Sequence, residues 1–224
     1  RGEILSPRVV ASNVAVSVPG GHMAGSLAYE ARTPEEAAAF VEKIAAEKPD
    51  LIKLMITGGV MDAEVVGEPG VLRMQPALVK AACDKAHALG MQVAAHVESP
   101  EGVRVALENG VDSIEHGAYL TDETLCQLAE SGAVWVSTLV TIGNLIGCGR
   151  FPDEVLTPLL AYQMNAVKKA AALGAKIACG SDAGAYRVLH GQGGLDERTL
   201  LRRAIGEGAD TVTDAGNAVI MARF

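Results

Sequence analysis

Four polar residues that could take part in catalysis lie within or at the end of short apolar segments. They are Lys53 in 51–56, His96 in 93–96, His116 in 113–117 and Asp182 in 177–182. In a barrel of parallel strands, the carboxyl ends of the strands meet at one mouth, and active sites are built there. A lysine, two histidines and an aspartate at such a mouth indicate a metal site with hydrolytic chemistry.

His96 and His116 are the best candidates for metal ligands. A neutral imidazole is a common ligand of Zn²⁺, and two imidazoles at neighbouring strand ends can bind one ion. The alternative for a single histidine is a ring that only forms a hydrogen bond at the sheet edge. Because the two histidines lie at equivalent positions of successive units, the sequence favours ligation. His87 lies on the helix before His96 and is expected to be an exposed helix residue.

Lys53 lies inside an apolar strand, where the loss of hydration lowers the pKa of an amine. A neutral amine can form a Schiff base, or it can react with CO₂ to give a carbamate. The carbamate is an anion with two oxygen atoms, and it can bridge two metal ions. The alternative is an ion pair between the lysine and a neighbouring carboxylate.

Asp182 lies in the segment Gly-Ser-Asp-Ala-Gly of residues 180–184, where a strand passes into a loop of small residues. An aspartate at this point can ligate a metal and accept a proton from metal-bound water. The alternative is an aspartate that caps a helix or stabilises a turn.

The elements that must position these residues alternate regularly along the chain. Thr33 and Ser99 each precede a proline, and Thr121 precedes two acidic residues, which are typical helix starts. We expect helices over 34–47, 76–90, 100–109, 122–131, 158–173 and 196–205, and strands over 9–16, 51–56, 93–96, 113–117, 134–139 and 177–182.

Alternation of strands and helices predicts the α/β class, with a parallel sheet and right-handed crossovers. No shift in composition marks a domain boundary, so residues 1–224 are expected to form one partial domain. Six βα units do not close an eight-stranded barrel. The chain begins almost directly on a strand and has no starting methionine. We therefore expect two βα units to precede Arg1, and the alternative is an open sheet.

The composition of the 224-residue chain argues against several classes of protein. The apolar fraction is 49 % and the aromatic fraction 4 %, which is typical of parallel strands covered by helices. The net charge of −8 and the lack of a dense Lys/Arg cluster argue against a nucleic-acid partner. No apolar stretch approaches the roughly 20 residues that span a membrane, and the first residues do not resemble a signal peptide. Four scattered cysteines without a C-x-x-C pair indicate reduced thiols and a cytoplasmic protein.

Four segments carry a resemblance to a known family. They are residues 52–61, 93–96, 111–117 and 180–184. In sequence and order they resemble the amidohydrolase superfamily, and most of all its branch of imidazolonepropionase-like and prolidase-like dipeptidases. The resemblance extends from about Ser6 to Leu200. It implies a (β/α)₈ barrel of the TIM type, in which the strands of this chain are the third to the eighth.

The resemblance also implies a role for each of the four polar residues. Lys53 would be carboxylated and bridge two Zn²⁺ ions, and His96 and His116 would bind one of these ions. Asp182 would be a ligand of the other ion and the proton acceptor of the reaction. The family carries a His-x-His pair on its first strand, and this chain has no such pair. Its absence agrees with the expectation that two βα units precede the chain.

Residues after the first and fourth strands are candidates for substrate binding. His22 lies in a glycine-rich segment, and Tyr119 lies just beyond the 113–117 strand. By the resemblance, both would hold the terminal carboxylate of a substrate. The alternatives are a histidine that stabilises a glycine turn and a tyrosine that packs at a helix start. Tyr186, Arg187 and His190 lie in a glycine-rich loop that is expected to form a wall or a lid of the site.

Together these residues predict a metal-dependent hydrolase that cleaves an amide bond of a small molecule. The expected substrate is a dipeptide, an N-acyl amino acid or a cyclic amide, attacked by a metal-bound hydroxide. Two alternatives stay open, a lyase that forms a Schiff base on Lys53 and a non-catalytic relative that serves as a scaffold. A homo-oligomer is compatible with the sequence and is not required by it.

Overall fold

The computed structural model describes Leu5 and residues 8–59 and 70–224 of the chain. Its strands are β1 (Ala15–Ser17), β2 (Ala28–Glu30), β3 (Leu51–Met55), β4 (Gln92–Val97), β5 (Ser113–His116), β6 (Val134–Val136) and β7 (Lys176–Ala178). Its helices are α1 (Pro34–Ala45), α2 (Pro76–Ala88), α3 (Pro100–Glu108), α4 (Asp122–Ser131), α5 (Leu139–Gly143), α6 (Asp153–Ala172), α7 (Gln192–Ile205) and α8 (Ala209–Arg223).

The seven strands form one sheet in the order β2-β1-β3-β4-β5-β6-β7, and all neighbouring pairs are parallel. Because the strands are parallel, their carboxyl ends lie along one edge. The register pairs Met55 with His96 and Val97 with His116, so the two histidines end neighbouring strands. The parallel α/β sheet predicted from the sequence is therefore confirmed.

Small aliphatic side chains fill the space between the sheet and its helices. Val93, Ala95 and Val97 of β4 have no exposed surface. At the end of the sheet, Gly216 of α8 lies so close to the carbonyl oxygen of Ile177 in β7 that any Cβ would overlap with it. Glycine at this position therefore lets α8 pack directly on the backbone of the last strand.

Three helices begin where their capping residues predicted. The side-chain oxygens of Thr33, Ser99 and Thr121 each accept a hydrogen bond from the backbone N–H three residues further on. Each bond satisfies a donor that the helix itself leaves unpaired. These caps fix the starts of α1, α3 and α4, and with them the turns that follow the strands.

The strand prediction is wrong in two places. The described sheet has seven strands instead of six, because β2 was not predicted. With only three residues, β2 is too short to produce a recognisable apolar alternation. The first strand was expected over 9–16, but only Ala15–Ser17 pairs with its neighbours.

The helix prediction also needs correction. Neither α5 nor α8 was predicted, and α6 and α7 begin at Asp153 and Gln192, before the expected starts at 158 and 196. Proline favours the first turn of a helix, yet Pro158 lies inside α6. The pattern of α8 is obscured by a glycine and by β-branched residues, which have low helix propensity.

Further expectations concern the 52–61 segment, the four cysteines, His87 and membrane-spanning helices. Two residues of the 52–61 segment, 60 and 61, lie outside the described residues. The four cysteines are free thiols. His87 is exposed on α2, as expected, and its Nε2 lies 2.9 Å from a carboxylate oxygen of Asp112. Across the described ranges, no helix is both long and apolar enough to cross a membrane.

Candidate active site

A cavity of about 460 Å³ opens at the carboxyl ends of the strands. Five of the six residues predicted for the site line it, namely His22, Lys53, His96, His116 and Asp182. They come from the loop after β1, from β3, from the ends of β4 and β5, and from the loop after β7. The parallel sheet therefore brings together side chains that are up to 160 residues apart in the chain.

His96 lies between two other histidine rings in this cavity. The His22 ring stacks on it with ring centroids 4.2 Å apart, and the His116 ring meets it edge-on at 4.7 Å. Burial, followed by the charges of neighbouring groups, holds the pKa of His96 well below its usual range. Its Nε2 lies 3.4 Å from the carbonyl oxygen of Gly58. The ring is therefore uncharged near neutral pH, the state in which an imidazole can bind a metal.

His116 is held from two sides at the end of β5. Its Nδ1 lies 2.8 Å from the hydroxyl of Thr138, and its carbonyl oxygen accepts a hydrogen bond of 2.8 Å from the indole N–H of Trp135. Because Nδ1 of His116 is hydrogen-bonded to Thr138, Nε2 is the ring nitrogen that can bind a ligand. Burial lowers the pKa of His116 to about 3, and the nearby Lys53 acts in the same direction.

Lys53 lines the cavity and is partly buried. Burial lowers the pKa of its amine, while the charges of Glu115 and Asp182 oppose this effect. The neutral amine is consequently favoured relative to an exposed lysine, and a neutral amine is the form that reacts with CO₂ or with a carbonyl group.

Asp182 enters the cavity from the loop after β7. Burial raises the pKa of its carboxyl group, and electrostatic interactions with Lys53 and His22 partly offset this increase. The carboxylate is therefore a stronger base than an exposed aspartate. A base of this kind can accept a proton from a water molecule in the cavity.

Three consecutive strand ends carry a backbone in the left-handed region. The φ angles are +74° at His116, +47° at Thr138 and +56° at Asp182. Histidine and aspartate occur in this region more often than most residues, whereas a β-branched threonine is a genuine outlier. Strained residues of this kind are typical of functional sites, where the surrounding fold holds them.

Glu98 also lines the cavity, and sequence reasoning missed it. The residue is buried, its backbone N–H donates to the Thr57 hydroxyl at 3.0 Å, and its carboxylate accepts the Ala118 N–H at 3.1 Å. Glu98 thus ties the strand end that carries His96 to the loop that follows His116. The sequence feature that could have identified Glu98 is its position two residues after His96, a histidine at the end of a strand.

Tyr119 is the predicted site residue that does not line the cavity. It packs against a small apolar cluster, with its ring centroid 6.2 Å from that of Tyr162. In the loop after β7, Tyr186 lines the cavity, whereas Arg187 and His190 are not on its wall. The carbonyl oxygen of Arg187 instead accepts a hydrogen bond from the Asn144 amide.

Glu197 of α7 is fully buried and fixes the turn from β6 into α5. Its carboxylate accepts hydrogen bonds from the Ser137 hydroxyl at 3.1 Å and from the Val140 N–H at 2.8 Å. These two residues flank Thr138, whose hydroxyl bonds to the His116 ring. Burial raises the pKa of Glu197 to about 7, and the hydrogen bonds that it accepts oppose this increase.

Replacing Glu197 with Ala should lower the free energy of unfolding by about 2 to 4 kcal/mol, because two buried donors lose their acceptor and a cavity remains. The Glu197→Gln variant should retain most of the stability, since its amide oxygen can still accept the Val140 N–H. Urea unfolding followed by circular dichroism measures both variants. Equal stability of the Ala variant and the native protein would contradict this role.

Glu197 should also make the stability of the protein depend on pH. Its pKa rises from 4.5 to about 7 on folding, so the unfolded chain releases the proton first as the pH increases. The free energy of unfolding should therefore fall between these two pH values, by at most about 1.4 kcal/mol per pH unit from this group. The Glu197→Gln variant lacks the group, and its pH profile should be flatter in this range.

The donor groups around the cavity fit a divalent metal by their chemistry. Two uncharged imidazoles, a carboxylate and a lysine with a lowered pKa are all available. No set of three or more His, Cys, Asp or Glu side chains in the described residues is already arranged to hold an ion. A carbamate on Lys53 would supply the additional oxygen ligands that these side chains alone do not.

Parallel strands with covering helices, and a cavity with histidine, lysine and carboxylate side chains at the carboxyl ends of those strands, define this chain as part of an α/β barrel of the TIM type. The model of the family described as "Amidohydrolase family" matches residues 1–218. The chain belongs to the amidohydrolase family.

Curated relatives occur in mycobacteria. An uncharacterized protein of Mycobacterium tuberculosis (strain ATCC 25618 / H37Rv) is 32 % identical over 203 residues, which are 88 % of this chain and 53 % of the relative. An uncharacterized protein of Mycobacterium bovis matches with the same identity and coverage. The chain thus spans about half the length of the curated relatives it matches.

Solved structures with the same fold include dipeptidase-like proteins. A candidate prolidase from Bifidobacterium longum is 30 % identical with a TM-score of 0.82, and the match covers 99 % of this chain and 57 % of that one. A Xaa-Pro dipeptidase with methionine bound in its active site is 25 % identical with a TM-score of 0.80, covering 99 % and 59 % of the two chains. These similarities support the prolidase-like branch of the family.

Proposed function

We propose that this protein is a metal-dependent hydrolase that cleaves the amide bond of a small substrate with a free carboxylate. The proposed substrate is a dipeptide or an N-acyl amino acid, and a cyclic amide is the next candidate. The main support is that Lys53, His96, His116 and Asp182 surround one cavity, with lowered histidine pKa values and a raised aspartate pKa. Similarity to a Xaa-Pro dipeptidase supports the same substrate class.

The residues proposed to hold divalent ions are Lys53, His96, His116 and Asp182. We propose Zn²⁺, because neutral imidazole nitrogens and carboxylate oxygens are among its usual ligands. Divalent ions in such a site polarise a carbonyl group and lower the pKa of water. Lys53 would take part as a carbamate, and the burial that lowers its pKa favours the neutral amine from which the carbamate forms.

Asp182 is the proposed proton carrier of the reaction. It would accept the proton of the attacking water and pass it to the leaving nitrogen. The raised pKa of its carboxyl group makes the first of these transfers, from water to the carboxylate, easier than for an exposed aspartate. His96 and His116 have lowered pKa values, so they do not compete for this proton.

His22 and Tyr119 are the residues that we propose to contact the substrate carboxylate. His22 lies inside the cavity against His96, a position from which its ring can reach a bound ligand. Tyr119 lies beside Tyr162 next to the cavity, so its contribution depends on how far a substrate extends. A carboxylate held away from the reacting atoms orients the scissile carbonyl, which lowers the barrier by several kcal/mol in favourable cases.

The proposal is tested by measuring metal content and dipeptide hydrolysis on the same preparation of the intact protein. We expect two divalent ions per chain and release of free amino acids. A chelator should abolish the activity, and added Zn²⁺ should restore it. Borohydride trapping with a keto-acid substrate is the control for a Schiff base on Lys53. A metal-free protein that is trapped covalently would favour the lyase, and a protein with neither property would favour a scaffold.

A further inference from the structure

We propose that Glu197 is a positioning residue that sets the ring tautomer of His116 through Thr138. The inference rests on the proposed function, in which His116 is a metal ligand, and it explains how a residue of α7 acts on that ligand. Glu197 lies away from the described cavity wall, and its carboxylate contacts the turn from β6 into α5 instead.

The tautomer of His116 decides which ring nitrogen can bind a metal. A neutral imidazole carries one proton, on either Nδ1 or Nε2, and only the other nitrogen has a lone pair to offer. The Thr138 hydroxyl lies 2.8 Å from Nδ1 of His116. When this oxygen accepts a hydrogen bond from Nδ1–H, it stabilises the tautomer that leaves Nε2 free. The tautomer therefore depends on where the Thr138 hydroxyl is held.

Thr138 occupies the N-cap position of α5, yet it does not cap this helix. A threonine at an N-cap normally turns its hydroxyl oxygen onto an N–H group of the first helical turn. Thr33 and Thr121 do so at the starts of α1 and α4. In the described structure around α5, the Thr138 side chain makes no capping hydrogen bond, and its hydroxyl bonds to His116.

Glu197 supplies the cap of α5 in place of Thr138. Its carboxylate accepts the N–H of Val140, the second residue of α5, at 2.8 Å. Burial raises the pKa of Glu197, and hydrogen bonds with the N–H groups of Val140 and Leu139 oppose this increase. A helix leaves such N–H groups at its start unpaired. Because Glu197 satisfies them, the Thr138 hydroxyl is not drawn back to α5 and stays available to His116.

The backbone next to Thr138 is held from two helices. The Ser137 hydroxyl donates to Glu197 of α7 at 3.1 Å, and the Gln163 side-chain amide of α6 donates to the Ser137 carbonyl oxygen at 2.8 Å. All three side chains are buried. Threonine is unfavourable in the left-handed region and remains there only while its surroundings hold it. Without Glu197, Thr138 should relax into an ordinary N-cap and turn its hydroxyl onto α5.

The test measures the His116 ring by ¹⁵N NMR in the metal-free intact protein, because the nitrogen shifts distinguish a proton on Nδ1 from one on Nε2. The native protein should carry the proton on Nδ1. Glu197→Met fills a similar volume without the carboxylate and should move the proton largely to Nε2. Thr138→Val removes the hydroxyl and should have the same effect. Thr138→Ser and Glu197→Gln keep the required oxygen atoms and should retain the native tautomer.

Metal affinity is the second measurement. Loss of the outer hydrogen-bond partner of a metal-bound histidine typically weakens metal binding by about 10- to 100-fold. We expect a loss of this size for Zn²⁺ in Glu197→Met and Thr138→Val, measured by competition with a chelator. Thr213→Val is the matched control, since it removes a buried hydroxyl on α8 that donates to the Ala209 carbonyl oxygen at 3.0 Å. It should lower stability without changing the tautomer or the affinity.

The tautomer measurement requires neither metal nor turnover, so it separates this inference from the proposed function. The expected tautomer changes in a protein that binds no metal would reject the proposed function and retain the role of Glu197. A proton that stays on Nδ1 in folded Glu197→Met would overturn the inference, as would an equal change in Thr213→Val. If Glu197→Met does not fold, Glu197→Asp provides the same comparison, because its carboxylate is one methylene too short for the Val140 N–H.

Discussion

The Asp182→Asn variant should show a kcat lower by roughly two to four orders of magnitude, the range typical of a lost general acid–base group. An asparagine side chain has nearly the same shape but cannot take up the proton of the attacking water. Asparagine also tolerates the left-handed backbone that this position requires, so the fold should be retained. Steady-state kinetics with a dipeptide substrate and a thermal melt measure the two effects.

The metal content of the Asp182→Asn protein must be measured in the same experiment. Retained metal with low kcat would identify proton transfer as the lost function, and lost metal would identify ligation as the main role. Asp84→Asn, on the exposed face of α2, is the control and should behave like the native protein. Turnover close to the native rate in Asp182→Asn would remove this residue from the mechanism.

The Lys53→Met variant should lose activity by roughly three orders of magnitude or more, the scale on which removal of one member of a catalytic assembly acts. Methionine fills a similar volume without a nitrogen, so it cannot form a carbamate or a Schiff base. The protein should stay folded, because an apolar side chain is easier to bury than an amine. Metal analysis should find fewer ions in the variant than in the native protein.

Growth or incubation with ¹³C-bicarbonate tests directly whether Lys53 of the native protein carries a carbamate. We expect a carbamate carbon signal in the metal-loaded native protein and none in Lys53→Met. Lys168→Met, at an exposed position on α6, is the matched control and should keep both the signal and the activity. Unmodified Lys53 in the active, metal-loaded protein would contradict the carbamate hypothesis.

Local patterns explain why much of the fold was predictable. The helix starts at Thr33, Ser99 and Thr121 depend on neighbouring residues alone, and the structure confirms each of them. In contrast, β2 exists because it pairs with β1, and α8 exists because it packs on β7 through Gly216. Such elements depend on contacts between distant residues, and a sequence pattern does not record those contacts.

The same distinction applies to the site. His96 and His116 were predictable because a parallel sheet aligns the ends of its strands. The position of Tyr119 off the cavity wall was not, because it depends on packing with Tyr162 from a helix 43 residues away in the chain. Glu98 had a local signal in its distance from His96, and only the cavity revealed its relevance.

The left-handed backbone at His116, Thr138 and Asp182 matters for anyone who redesigns this chain for heat resistance. Glycine at each position would remove about 1 to 3 kcal/mol of backbone strain. It would also cost about 0.5 to 1 kcal/mol, because glycine loses more backbone entropy on folding. A procedure that optimises backbone strain alone would therefore select glycine at all three positions. The resulting protein would have a more relaxed backbone and would lack an imidazole, a carboxylate and the hydroxyl that orients the imidazole. Any stabilised version of this protein should keep these three residues fixed and seek its gains elsewhere.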